Sequence, residues 1–128
     1  MKAQTIFNKG YIGVVKQGRA SVRNQWEGDS KCMYRGSGGS ACAVGHLLSD
    51  RTAKKYDNEY ETGISSISDA GLLLKSLNPH LELLEAMQMA HDGAYRSTRD
   101  YPASFVAEFK QRMAGVAKLF NLTVPEIA

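Results

Sequence analysis

Apolar residues return along this chain at three- and four-residue intervals much more often than they alternate, so the pattern reads as helices joined by polar turns. Ile6, Phe7, Tyr11, Val14 and Val15 form one stripe, and Gly18 follows Gln17 where a cap belongs, which predicts an amphipathic helix over residues 3–17. Gly10 and Gly13 each cost that helix about 1 kcal/mol relative to alanine, implying either close packing or fraying there. Residues 19–30, with Asn24, Gly28, Asp29 and Ser30, read as a connecting loop in which Trp26 plugs the edge of the core. Residues 50–56 predict a short helix capped by Asp50, followed by a polar, acidic loop over 57–63. Ile64, Ile67, Gly71 and Leu74 keep helical spacing, and the helix is placed at 66–77.

The strongest helix signal follows. Asn78 stands as cap, Pro79 occupies the first helical position, and Leu81, Leu84, Met87, Ala90 and His91 point inward. Gly93 ends or kinks this helix, and residues 95–101 read as a loop. Pro102 opens a last helix with the stripe Phe105, Val106, Phe109, Met113, Val116 and Phe120; Asn121 stops it, and the tail from Leu122 to Ile127 packs back.

The stretch from Cys32 to Asp50 has a different character, because it holds both cysteines, the densest glycine cluster, Arg35 and His46. Gly36-Ser37-Gly38-Gly39 tolerates positive φ, so residues 31–44 are expected to form a β-hairpin that brings Cys32 near Cys42. Val44, Leu47 and Leu48 then resume helical spacing, placing a helix start between Ala41 and Gly45. The expected fold is therefore a single mostly helical α+β domain over residues 1–128, with four or five helices packed on one small hairpin.

Composition narrows the function classes only modestly. The chain has 128 residues, 43% hydrophobic and 23% charged, which suits one globular domain. A net charge of +3 permits an anionic partner without requiring one. No apolar run approaches the roughly 20 residues that span a bilayer, and the start, Met1-Lys2-Ala3-Gln4-Thr5, lacks the apolar segment of a signal peptide. The expected location is a cytoplasm, where two cysteines are more often buried thiols than a structural disulfide.

Four chemistries compete for the central stretch. A catalytic reading takes Cys42 as nucleophile near a helix start, His91 as base, and Asp92, Gln25 or Gln88 as the group that orients the imidazole; a histidine on an apolar stripe and a buried thiol are the structural alternative. A zinc reading uses Cys32, Cys42 and His46 with His80 or His91, although Cys-x9-Cys is not the usual short chelate, and neither metal nor other cofactor is expected. A binding reading uses Arg35, Gly36, Ser37, Gly38, Gly39 and Ser40 with the aromatics Trp26 and Tyr34, as a surface for a macromolecule or a phosphate. Arg19, Arg23, Lys31 and Arg35, with the same aromatics, would make a nucleic-acid face, and an exposed part of Leu72-Leu73-Leu74 would make a partner patch.

Taken together, Gln17-Gly18-Arg19-Ala20-Ser21, Cys32-Met33-Tyr34-Arg35, the glycine turn, Cys42-Ala43-Val44-Gly45-His46-Leu47-Leu48-Ser49-Asp50 and Met89-Ala90-His91-Asp92 resemble a group of small uncharacterised proteins of tailed bacteriophages and prophages. Similar sequences carry Ile-Pro-Asp where this one has Leu48-Ser49-Asp50. The resemblance carries no assigned activity and covers residues 4–122. It implies a phage accessory product, made in the bacterial cytoplasm, of a kind that acts on a host protein or defence system. Since the chain has no complete catalytic signature, the expectation is binding and modulation without catalysis. A small Cys/His hydrolase or transferase is the alternative, and a nucleic-acid-binding protein a further one.

Overall fold

In the computed structural model, residues 1–24, 31–59, 63–69, 71 and 73–127 are described. Among them five α-helices form: α1 (Ala3–Gln17), α2 (Asp50–Glu59), α3 (Ile64–Asp69), α4 (Leu81–Thr98) and α5 (Phe105–Leu119). Short 3₁₀ turns at Pro102–Ser104 and Asn78–His80 lead into α5 and α4, each with a proline in its first positions. No described helix is long and apolar enough to cross a membrane.

The core lies where α1, α4 and α5 meet. Phe7 and Tyr11 of α1 stack at 5.8 Å, Tyr11 continues onto Phe109 at 6.3 Å, and Phe109 onto Phe105 at 5.9 Å. Gly10 settles the question its sequence position raised in favour of close packing, since a Cβ there would lie 2.8 Å from the Ala43 carbonyl oxygen. The absence of a side chain lets α1 lie against the central stretch. At its end Gly18 adopts φ 79° and donates its N–H to the Val14 carbonyl at 3.0 Å. Asn121, at φ 55°, closes α5 in the same manner, with Leu122 N–H on the Ala117 carbonyl at 2.7 Å. The tail does pack back: the Gln4 amide donates to the Thr123 carbonyl at 2.7 Å and accepts its N–H at 2.9 Å, and Leu122, Val124 and Ile127 rest half-buried on the core.

Several expectations need correction. No β-strand or hairpin forms among the described residues of 31–44; only isolated antiparallel bridges occur, Val22 with Cys32 and Arg35 with Ala41. The reason is competition for backbone groups. Met33 N–H donates to the Ser21 carbonyl and Arg23 N–H to the Lys31 carbonyl, so this segment pairs with residues 21–23. Tyr34 and Arg35 then give their N–H groups to the Asp57 carboxylate, which removes the donors that a ladder would use. The helix expected to begin between Ala41 and Gly45 is a single 3₁₀ turn, Gly45–Leu47, because Leu48 leaves it in extended conformation.

The predicted 66–77 helix is instead the short α3, and Gly71 at φ 74° marks where the chain turns away. α2 starts where predicted, but Ser49 Oγ caps it by accepting Thr52 N–H at 3.2 Å, and the helix runs on to Glu59. Gly93 neither ends nor kinks α4, which continues to Thr98 through part of the expected loop; a Cβ at Gly93 would meet Arg112 Nη1 of α5 at 2.6 Å. Trp26, Gln25 and Leu72 lie outside the described residues, while Leu73 is buried and Leu74 exposed.

Candidate functional site

Arg35 is the hub of the central stretch, and it faces inward. Its Nη1 donates to the carbonyls of Gly45 at 2.7 Å and Tyr34 at 3.2 Å, its Nη2 to the Leu48 carbonyl at 2.8 Å, and its Nε to Asp50 Oδ1 at 2.8 Å. Arg35 holds the exposed Asp50 carboxyl below its ordinary pKa through that hydrogen bond and its charge. One planar guanidinium thus ties three carbonyls of an irregular segment, of which the Gly45 carbonyl also accepts the turn's Leu48 N–H at 3.1 Å. Gln17 adds a second clamp at the end of α1, donating to the Ala41 carbonyl at 3.1 Å and accepting Ala41 N–H at 2.8 Å. Neither Asp57 nor Gln17 stood out in the sequence, because their partners are 22 to 24 residues away.

The glycine turn is the exposed part of the segment. Gly38 and Gly39 have φ 65° and 75°, Gly36 N–H donates to the Ser40 carbonyl at 2.9 Å, and Ser37 N–H donates to the Val22 carbonyl at 2.9 Å. Arg19 lies across the tip, its Nη2 donating to the carbonyls of Ser37 at 3.2 Å and Gly38 at 2.9 Å. Of the other residues assigned to this surface, Ser40 and Tyr34 are buried. The Tyr34 hydroxyl accepts from Gln88 at 3.2 Å, and its ring meets Tyr56 edge-on at 5.8 Å. Arg19 and Arg23 are exposed beside the turn.

The sulfur and imidazole groups lie deeper. Cys42 is buried, its Sγ accepts Gly45 N–H at 3.2 Å, and burial with the Asp92 charge pushes the thiol up to about 12. His91 has no exposed surface; Nε2 accepts Ser21 N–H at 3.0 Å, so the ring proton sits on Nδ1 and is donated to Asp92 Oδ1 at 2.9 Å. Both ring nitrogens are thus occupied by groups other than Cys42. Half-buried Cys32 also turns to Asp92: burial first, then that carboxylate, raise its thiol above the ordinary range.

A sulfur of Cys32, a ring nitrogen of His91 and an oxygen of Asp92 lie within 4.8 Å of one another, the one group among the described residues with the donor set for a divalent ion. The ring fits it poorly, since a metal on Nδ1 would move the proton to Nε2, where the Ser21 N–H already points. Of the other residues in the zinc reading, His80 Nε2 contacts the Met1 carbonyl at 2.8 Å, and His46 packs its ring against Gly13 of α1.

The His46 ring has a buried Nε2 with no hydrogen-bond partner among the described residues. Burial chiefly, then the charge of Arg35, lower its pKa from 6.5, while a bond to the Ala41 backbone opposes this. The unfolded chain therefore takes up a proton near pH 6.5 that the folded chain refuses. The contribution of neutral His46 is complete above that pH and is lost as pH falls from 6.5 toward the lower folded value. Urea midpoints at pH 7.5 and 5.5 are expected to differ less in His46→Phe than in wild type; an equal difference would show that other groups carry the acid sensitivity.

No family model, curated protein or solved structure matches this chain. The functional reading accordingly rests on the chemistry of the residues above. That chemistry divides into a sealed half, with Cys42 and His91 committed to structural bonds, and an exposed half, the turn braced by Arg19.

Proposed function

We propose that the protein is a phage accessory protein of the bacterial cytoplasm that binds a host protein, without catalysis, through the surface around Gly38 and Gly39. The observation that carries this reading is the Arg19 brace: a glycine turn is held in one shape from both sides, so little ordering entropy remains to be lost on binding. The exposed guanidinium groups of Arg19 and Arg23 favour an acidic segment on the partner. A hydrolase or transferase built on Cys42 would need the thiolate, which burial opposes, and a histidine free to take its proton.

The test is cross-linking and affinity capture from bacterial lysate, untreated and nuclease-treated, with wild type and Arg19→Glu, compared at equal folded fraction by circular dichroism. A saturable partner captured by wild type and reduced about tenfold or more with the charge-reversed chain is the expected result. Capture that disappears with nuclease treatment moves the reading to nucleic acid. Capture indifferent to Arg19 removes this surface from consideration.

A further inference from the structure

Helices α4 and α5 leave an apolar groove on the outside of the protein, of about 300 Å³, with Met89 70% and Leu119 77% exposed at its edges. Single exposed apolar residues are ordinary, but two large ones flanking a hollow are not. The hollow is at Gly115, where an added Cβ would meet nothing within 4 Å. Because Arg112 lies over Gly93 while Leu119 shares the groove with Ala86, α4 and α5 run antiparallel along it.

The charges at the two ends of the groove have opposite sign. On α4, Glu82, Glu85 and Arg96 all fall within about 40° of Met89 around the helix axis, so they share its face. The two carboxylates stand at the Leu119 end of α4 and Arg96 at its other end, on the flank from which its charge reaches Cys32; Arg112 of α5 lies over Gly93 at that end, its Nε bonded to Glu108 at 2.9 Å. A surface whose α4 edge is acidic at one end and basic at the other, and which carries both knobs and a hollow between, is complementary to itself when a half rotation lays α4 along the α4 of a second copy.

We infer that this face is the interface of a homodimer, a second copy of the chain seated on the α4–α5 groove about a twofold axis perpendicular to it. Each Leu119 is carried over the Gly115 hollow of the other copy, and Glu82 of each faces Arg96 of the other. The inference is independent of the host-binding surface, and its test uses purified protein alone.

Sedimentation velocity of the full chain at about 50 µM, where a micromolar dimer is mostly assembled, is expected to give a dimer. Leu119→Asp, at a position too exposed to disturb folding, is expected to raise the dissociation constant about tenfold or more. Arg96→Glu and Glu82→Arg chains should each self-associate more weakly than wild type, because like charges then face each other at both ends. An equimolar mixture of the two should recover the dimer, since every reversed charge meets its opposite. A monomeric wild type, a dimer indifferent to Leu119→Asp, or charge-reversed chains whose mixture associates no better than either alone would each overturn it.

Discussion

Arg35→Ala is expected to lower the free energy of unfolding by about 3 kcal/mol, because three backbone carbonyls lose a charged donor together. The figure takes about 1 kcal/mol per carbonyl, below the roughly 1.5–3 kcal/mol usual for a charged donor. The lower value holds because the Gly45 carbonyl keeps its Leu48 N–H and water can reach part of this segment once the side chain is gone. For a domain whose whole stability is on the order of 5–15 kcal/mol, that is a large fraction. Arg35→Lys should recover less than half of it, because an ammonium cannot reach Tyr34, Gly45 and Leu48 from one planar fork. Urea denaturation followed by circular dichroism measures both. A wild-type midpoint for the alanine variant would mean that the guanidinium organises nothing. The result also bears on function: loss of a binding partner on Arg35→Ala would report a loosened segment, whereas Arg19 touches only the turn and isolates the surface itself.

The helices were legible wherever an apolar stripe ended in a residue with a backbone reason to stop. α1 ends at Gly18 and α5 gives way at Asn121, both in the left-handed region, and the stripe of α5 is buried at Phe105, Phe109, Met113 and Val116. Gly93 misled because its role is tertiary: it makes room for Arg112 and does not break the helix. The central stretch was legible as unusual but not in its wiring. Glycine turns flanked by short apolar runs read as hairpins only if the flanking N–H groups remain available to each other, and here Asp57 takes two of them from across the chain. Arg35 read as an exposed arginine beside a flexible turn for the same reason: the carbonyls it serves are exposed by the irregularity that the pattern failed to show. His91 was correctly placed on the inward face of α4, but its partner lies 70 residues earlier, and no spacing rule reaches that far.

That distant bond makes His91→Leu the second large effect, with an expected loss of about 2–3 kcal/mol. Leucine fills a similar volume against Phe105, whose ring now meets the imidazole edge-on at 5.6 Å, so packing changes little. What remains is a buried Ser21 N–H with no acceptor, a penalty of roughly 1–3 kcal/mol, together with the lost bond to Asp92. Asp92→Asn keeps an acceptor for the Nδ1 proton and should be milder, which separates the backbone bond from the carboxylate. Hydrogen exchange at the Ser21 amide reads the mechanism directly: protected in wild type and in Asp92→Asn, fast in His91→Leu. Equal protection in all three would mean that the imidazole is not the strut holding residues 21–23 to α4. The consequence reaches the surface, because Val22 accepts the Ser37 N–H and so supports the turn from below. Freed from His91, the 21–23 segment should carry the glycine turn with it, and capture of a partner should weaken in His91→Leu although the substitution lies wholly inside the protein.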